Sequence, residues 1–354
     1  MVDHTSRRSF LSKSAIAGAA SIAATSIAQT AENKPTRKLK VGALGACTYS
    51  FWGIWAELLS PEGRMGTEIF NMEISHVWDK DYAAAQKFAA QWGCEAVKRY
   101  EDMVGKVDGV ACGGLYEVPW QHKMFRPYLE AGMPCYLSRP WSYRKKDMNE
   151  MLELAAKHSA PLMATATYEH YNEAETLQAK LKNVGIIKCV NATCAGGDFP
   201  HFHIQHMMTK ILGYNVQKVA LVTNDVKEPH YLQETYIYSA DGEQPPFTCT
   251  MHSAPQPYIF HISIIGTDGT EVASMPGNSN WFFRFFNQLM DIQKTLEGVT
   301  YQPLDIVRKK HEFWITAHYS HVERNGAPVD VGTVPDDWSP PHWQPGWMGD
   351  SMFR

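Results

Sequence analysis

The chain has 354 residues, of which 44% are hydrophobic, and its formal net charge at pH 7 is −4. This length and composition are typical of a globular protein with room for two domains and substantial cores. The charge shows no basic excess, which argues against nucleic acid as a partner. After the first 28 residues no stretch approaches the roughly 18 consecutive apolar residues of a membrane-spanning helix, so we expect a soluble mature protein.

The first residues match an export signal. Residues 6–11 read Ser-Arg-Arg-Ser-Phe-Leu, a near-complete twin-arginine motif around Arg7 and Arg8, and a weakly apolar run rich in alanine follows. Ser26 and Ala28 are small residues with the spacing of a cleavage site. These features predict a signal peptide over residues 1–28, export by the twin-arginine translocase, and a periplasmic or secreted location. Since this route carries folded proteins, it also favours a tightly held cofactor or metal.

Short apolar strands alternate with helices in the first half of the mature chain. This alternation is typical of an α/β domain with a doubly wound, Rossmann-like parallel sheet, which we place at residues 29–165. The predicted strands are 38–44, 74–78, 110–112, 135–137 and 162–167, and the predicted helices are 51–59, 81–92, 122–130 and 146–158.

The pattern changes after about residue 184. Longer alternating runs, such as 235–238 and 260–265, are broken by glycine and proline turns, which favours an open, mainly antiparallel sheet. We therefore predict a second, α+β domain over residues 166–335. The helices predicted at 281–296 and 303–318 should pack back on this sheet. No structure is assigned to the tail, residues 336–354, which is rich in proline and tryptophan.

The segment from residue 108 to residue 140 carries the most specific pattern. It reads as strand, loop, helix and strand, from Asp108-Gly-Val-Ala-Cys through His122 to Ser138-Arg139-Pro140. In this order it resembles the glucose–fructose oxidoreductase, inositol dehydrogenase and MocA family, in which the last three residues are Glu-Lys-Pro. The resemblance covers residues 38–331.

This resemblance implies a nicotinamide cofactor, NAD or NADP, and a small-molecule or oligosaccharide substrate such as a sugar, polyol or glycoside. It also implies a homo-oligomer, with the second domain serving both substrate binding and assembly. The family's reactive lysine is replaced by Arg139. Because an arginine stays charged up to a pKa above about 12, Arg139 cannot exchange a proton, and we expect it to hold an anionic group or stabilise an oxyanion.

The first strand is followed by a modified dinucleotide-binding turn. Gly45 serves as its first glycine, whereas Cys47 and Ser50 stand at the second and third glycine positions. Asp79, at the end of the second strand, is the acidic residue that could bind a ribose hydroxyl; the alternative is a helix N-cap. Guided by the resemblance, we assign cofactor contacts to Gly45, Cys47, Thr48, Asp79, Gly113, His122, Ser138 and Arg139.

Three histidines in six residues, His201, His203 and His206, are the main candidates for proton transfer. Counting back from Gly213 places the family's cofactor-facing histidine at His203, and His206 then replaces a family aspartate. A spacing of three puts these two imidazoles on one face of a helix. In this interpretation His203 is the general base of a dehydrogenase.

The segment Tyr168-Glu169-His170-Tyr171 lies at the expected junction of the two domains. Its polar and aromatic side chains suit a crevice that binds substrate. We therefore expect at least one of these residues to contact substrate, and we include Tyr168 with His203, His206 and Arg139 among the catalytic candidates.

Two other functions remain open from the sequence. In one, two or three of His201, His203 and His206 hold a divalent metal such as Zn²⁺ together with Glu169, Asp198 or His170, and the enzyme is a redox-neutral carbohydrate lyase or hydrolase. In the other, the altered glycine turn and the missing lysine mark a non-catalytic sugar-binding protein.

Overall fold

The computed structural model describes residues 37–46, 50–60, 70–113, 120–137, 141–195, 200–223, 232–254, 259–276, 281–299 and 302–341. Residues 1–28, with the predicted signal peptide, and residues 342–354 of the tail lie outside these ranges. Within the part of the chain that is described, no helix combines the length and the apolar character needed to cross a membrane.

The first sheet is parallel and has six strands in the order β3-β2-β1-β4-β5-β6. This order confirms the predicted Rossmann-like doubly wound domain. The strands are β1 (Leu39–Leu44), β2 (Met72–Trp78), β3 (Glu95–Ala96), β4 (Gly109–Cys112), β5 (Cys135–Leu137) and β6 (Leu162–Ala164). The helices between them are α1 (Trp52–Leu59), α2 (Tyr82–Trp92), α3 (Gln121–Glu130) and α4 (Lys145–His158).

The last strand of this sheet is shorter than expected. The sequence suggested a strand over residues 162–167, but β6 ends at Ala164 and a 3-10 helix, Thr167–His170, follows. The Glu169 carboxylate accepts a hydrogen bond of 2.9 Å from the Ala166 amide, which stabilises the start of this helix. The predicted strand was therefore wrong at its C-terminal end.

The second sheet has seven strands in the order β12-β11-β7-β10-β9-β8-β13. Only the β7–β10 pairing is parallel among its neighbours, so the prediction of a mainly antiparallel sheet is confirmed. The strands are β7 (Ile187–Ala195), β8 (Val216–Thr223), β9 (Leu232–Tyr238), β10 (Phe247–Ala254), β11 (Ile259–Gly266), β12 (Thr270–Pro276) and β13 (Val329–Asp330). The remaining helices are α5 (Asn172–Lys180), α6 (Pro200–Leu212), α7 (Trp281–Leu296) and α8 (Leu304–Arg324).

Helix α7 packs differently from the prediction. Its side chains Phe285, Leu289 and Ile292 are buried in one cluster with Val41 and Trp55, next to the parallel sheet. The expectation that this helix packs on the second sheet was therefore wrong. The apolar positions recur at helical spacing, which predicts a buried face but not the partner that covers it.

Helix α8 joins the two sheets. Val307, near its N-terminus, lies in the core beside the parallel sheet, whereas Phe313 and Ala317 lie in the core of the second sheet. The helix extends to Arg324, beyond the predicted end at residue 318, and Asn325 caps it in a left-handed conformation. One helix thus fixes the region where the two cores meet.

A buried carboxyl group lies in the second core. Glu234 of β9 has no exposed surface; Tyr236 Oη donates to its Oε1 over 3.2 Å, and among the described residues nothing bonds to its Oε2. Burial raises the pKa of Glu234 from 4.5 to about 8, although the Tyr236 hydroxyl opposes this change. The folded protein therefore keeps this proton at a pH where the unfolded chain has lost it.

We expect the free energy of unfolding to fall with rising pH through this group, by about 1.4 kcal/mol for each pH unit between 4.5 and about 8. Glu234→Gln should remove this slope, because an amide does not titrate, and the variant should gain stability relative to the wild type as the pH rises. Urea unfolding of both proteins at pH 5, 6, 7 and 8 measures the difference. Parallel pH profiles would show that Glu234 does not titrate in this range.

Candidate functional site

A tight turn follows the first strand at the carboxyl edge of the parallel sheet. Gly45 has a φ of +61°, a left-handed conformation that favours glycine, and its amide donates to the Trp78 carbonyl over 3.0 Å. The bond joins the ends of β1 and β2. Gly45 thus has the backbone conformation that the first glycine of a dinucleotide-binding turn needs.

Ser50 stands where the usual turn has its third glycine, and the space that it needs is provided by Gly113, which directly follows the neighbouring strand. A Cβ atom placed on Gly113, directly after β4, would lie 2.9 Å from the Ser50 Oγ and 2.9 Å from Trp52 Cδ1. The Phe51 amide also donates to the Gly113 carbonyl over 3.1 Å. The close approach of helix and sheet that the motif requires is thus kept, because Gly113 makes room for Ser50.

Asp79 is buried at the end of β2, with 1% of its surface exposed. Its Oδ1 accepts a 3.0 Å hydrogen bond from the Asp81 amide, while Asp81 itself caps α2 through bonds to the Ala83 and Ala84 amides. The N-cap is therefore Asp81, and the alternative interpretation of Asp79 does not hold. A carboxylate at this strand end is where a ribose hydroxyl is bound in dinucleotide folds.

The other predicted cofactor residues divide into two groups. Cys47, Thr48, Ser138 and Arg139 lie outside the described residues. His122 is in the first turn of α3, and its Nδ1 lies 3.8 Å from Oδ2 of Asp147 on α4. Burial lowers the pKa of His122, and the Asp147 carboxylate opposes this change. The structure thus places His122 in a contact between two helices.

These residues fit a dinucleotide at the carboxyl edge of the sheet. β1 lies between β2 and β4, at the point where the strand order reverses. Two positions without side chains, Gly45 and Gly113, follow β1 and β4, and the buried carboxylate of Asp79 ends β2. The arrangement provides a tight turn, a close helix approach and an acidic group on adjacent strands.

The predicted histidines lie on α6. His203 is half-buried; its Nδ1 lies 3.3 Å from Thr167 Oγ1, and its ring stacks on Tyr168 with centroids 4.4 Å apart and planes inclined by 24°. Burial raises the pKa of Tyr168 further above its ordinary value, so its hydroxyl stays protonated at neutral pH. Tyr168 thus positions the His203 ring and is a poor proton carrier itself.

His206 belongs to a buried charge network that the sequence did not predict in full. Its Nδ1 lies 2.6 Å from Glu169 Oε1, and the Lys310 ammonium from α8 forms a salt bridge with Glu169 Oε2. All three side chains are almost completely buried. Lys210 Nζ, one turn further along α6, donates to the Glu169 carbonyl over 2.6 Å.

The network keeps Glu169 ionised. Burial alone would raise the pKa of Glu169, but the Lys310 ammonium and then His206 outweigh it, and the pKa lies well below its usual range. Burial also lowers the pKa of Lys310, which Glu169 opposes. A carboxylate bonded to Nδ1 fixes the orientation and tautomer of the His206 ring.

A small cleft lies beside this network. His311 Nε2 lies 3.2 Å from the Ser142 carbonyl, to which it donates, and burial lowers the pKa of His311 to about 4. Its Nδ1 is therefore an acceptor. Among the described residues neither this atom nor the buried indole N–H of Trp141 has a hydrogen-bond partner. The cleft is lined by Trp141, Phe202, His206, Lys310, His311 and Trp314.

The described residues contain no group of three His, Cys, Asp or Glu side chains arranged to hold a metal ion. The side chain of His201 and the residue Asp198, both named for the predicted metal site, lie outside what the structure describes. His170 points to another partner, since its Nδ1 lies 3.0 Å from Asp291 Oδ2.

Lys310 and His311 were missed in the sequence, although a signal was present. Lys310 lies three residues after Val307, and His311 lies three residues before Trp314, which is helical spacing. All four side chains are buried. A lysine on the apolar face of a helix needs a buried partner, which makes such a lysine a candidate site residue.

Comparison with family models and with curated proteins finds no match. Solved structures are similar. One is the scyllo-inositol dehydrogenase of Lactobacillus casei with bound NAD(H) and scyllo-inositol, with a TM-score of 0.68 and 13% identity over 83% of this chain and 99% of that one. Another is the WlbA dehydrogenase of Chromobacterium violaceum in complex with NADH and UDP-GlcNAcA, with a TM-score of 0.67 and 17% identity over 86% and 98% of the two chains.

The myo-inositol 2-dehydrogenase of Lactobacillus plantarum is also similar, with a TM-score of 0.67 and 13% identity over 83% of this chain and 100% of that one. These likenesses cover both sheets at low sequence identity. The chain therefore has the fold of the inositol dehydrogenases and related oxidoreductases of the glucose–fructose oxidoreductase, inositol dehydrogenase and MocA family.

Proposed function

We propose that this protein is an exported oxidoreductase that removes hydride from a hydroxyl-bearing carbon of a sugar, polyol or glycoside and passes it to a tightly held nicotinamide cofactor. The observation that carries the proposal is the His203 imidazole, half-buried on α6 and held at Nδ1 by Thr167 and on its face by Tyr168. The dehydrogenases of the same fold, two of them in complex with NAD(H) or NADH, support this choice.

The cofactor would be held by Gly45, Gly113 and Asp79, together with residues of the turns that follow β1 and β5. When bound, a nicotinamide supplies the acceptor for the hydride. We propose NAD rather than NADP, because the Asp79 carboxylate can accept a bond from a ribose 2′-hydroxyl but would repel a 2′-phosphate.

His203 acts as the general base in this proposal. A neutral imidazole accepts a proton at its free ring nitrogen, so His203 would take the proton of the substrate hydroxyl as the hydride leaves. Thr167 and Tyr168 fix the ring, which lowers the cost of orienting it for proton transfer. One turn further along α6, the Glu169–His206–Lys310 network provides fixed charges in a buried setting.

The test uses the full chain, purified without added cofactor. We expect nicotinamide absorbance in the released small-molecule fraction and sugar-dependent formation of the reduced cofactor, with NAD but not NADP restoring activity to the stripped protein. Elemental analysis of the same sample separates the alternatives. Stoichiometric zinc with no nicotinamide and no redox activity would contradict the proposal and favour the metal-dependent lyase or hydrolase.

Export is part of the proposal and rests on the motif around Arg7 and Arg8. The translocase recognises the two guanidinium groups, so changing both residues to lysine should leave a folded precursor in the cytoplasm. Fractionation of cells that make each form measures this. Normal export of the double variant would contradict the twin-arginine assignment.

We also propose that the second sheet assembles two copies of the chain. Helices cover one face of this sheet, whereas the other face presents exposed side chains such as Asn191, Thr193 and Gln233. Light scattering on the purified chain measures the assembly. A monomer at micromolar concentration would contradict it.

A further inference from the structure

A cation that has no carboxylate partner among the described residues lies against the tyrosine that stacks on the proposed general base. Arg284 is in the first turn of α7, and its guanidinium carbon lies 5.0 Å from the ring centroid of Tyr168 and 5.5 Å from that of Tyr171. A third ring, Phe285, lies 5.1 Å away. Tyr168 is the same ring that stacks on His203. Arg284 and His203 therefore share one aromatic neighbour.

The polar contacts of Arg284 are with the hydroxyls of Tyr168 and Tyr171, and they leave its Nε without a partner among the described residues. Nη1 donates to Tyr171 Oη over 3.0 Å. Among the described residues the buried Nε has no hydrogen-bond partner, and no carboxylate lies within ion-pair distance of Arg284. Nε and Nη2 form the edge of a guanidinium that binds a carboxylate through two parallel bonds.

Lys310, a fully buried cation, is bound to Glu169. Arg284 is half-buried and three aromatic rings lie against its guanidinium, yet among the described residues it has no carboxylate partner. Aromatic faces compensate only in part for the lost hydration of a cation. Arg284 is therefore suited to bind an anion that enters the candidate active site from solution.

We propose that Arg284 binds the carboxylate of the substrate, so that the enzyme acts on a sugar acid such as a uronate. This inference rests on the proposed dehydrogenase function, since it places the substrate carboxylate at Arg284, which lies over the same Tyr168 ring that stacks on His203. Burial raises the pKa values of Tyr168, Tyr171 and Cys194, and among the described residues Arg284 is the cation that opposes this rise. A single fork-shaped cation matches a planar monoanion, whereas a phosphate dianion calls for more positive charge.

The test compares matched sugars by calorimetry, without requiring turnover. The probes are D-glucuronate with D-glucose and D-galacturonate with D-galactose, each titrated into the full, cofactor-loaded chain. We expect at least one uronate to bind about tenfold or more tightly than its hexose, and the ratio to fall toward one in Arg284→Gln. Arg284→Lys keeps the charge but loses the fork, and should give an intermediate ratio.

Arg324→Gln is the matched control, because Arg324 also lies over a tyrosine ring, 5.6 Å from the Tyr319 centroid, but at the far end of α8. It should keep the wild-type ratio. Equal binding of acid and hexose by the wild type, no binding of any probe, or an unchanged ratio in Arg284→Gln would overturn the inference. An Arg284-dependent preference without any nicotinamide reduction would instead overturn the dehydrogenase function and leave the carboxylate site standing.

Discussion

Replacing His203 with alanine is expected to lower the rate of sugar oxidation by about 10² to 10⁴-fold, the usual effect of losing a general base. The imidazole is half-buried and packs on one tyrosine ring, so the folded structure should survive the change. Cofactor content should also stay at the wild-type level, because the dinucleotide residues lie on the other sheet. The measurements are kcat for the substrate, nicotinamide absorbance of the purified variant and its thermal unfolding.

His158→Ala is the matched control for this experiment. His158 is a half-buried histidine in the last turn of α4, which packs with the parallel sheet. It should retain full activity. If His203→Ala is also fully active, His203 is not the base, and the non-catalytic sugar-binding function becomes the better description.

Replacing Lys310 with methionine should destabilise the protein by about 3 to 5 kcal/mol, the cost of leaving a buried charge without its partner. Lys310 has no exposed surface, and its ammonium is bonded to the ionised Glu169 carboxylate. Methionine fills a similar volume, so the loss reports the charge and not a cavity. Urea unfolding at pH 7 measures it.

The matched variant is the double change Lys310→Met with Glu169→Gln. Glutamine keeps an oxygen for the Ala166 amide and for His206 but carries no charge, so the double variant should be more stable than Lys310→Met alone. If the stability losses of Lys310→Met and Glu169→Gln simply add up in the double variant, the Lys310–Glu169 pair is not coupled.

The sequence predicts the order of strands and helices because hydrophobic periodicity reflects burial directly. Strands β1, β4 and β5 and helix α7 appear close to their predicted bounds, but the periodicity of α7 cannot tell which core it enters. Phe285 and Leu289 lie against Trp55, far away in the chain. Contacts of this range depend on tertiary packing that a single sequence does not encode in any local pattern.

The candidate site was predicted only in part for a similar reason. His203 and His206 follow from spacing along one helix, whereas the network around His206 combines α6, the 3-10 helix and α8. The resemblance aligns His206 with an aspartate of the family. In the structure an aspartate there would face Glu169, and two carboxylates in one buried site repel each other.

The packing of α7 and α8 determines whether the domain with the parallel sheet can fold as a separate fragment. A fragment that stops at residue 165 contains all six parallel strands, yet it lacks Phe285, Leu289 and Ile292, which cover Trp55 and Val41 in the intact protein. The fragment would present this apolar surface to water, where self-association is the usual outcome. The domain with the parallel sheet can therefore reach its final form only after almost the entire polypeptide has been synthesised, which would suit the proposed export of a folded protein.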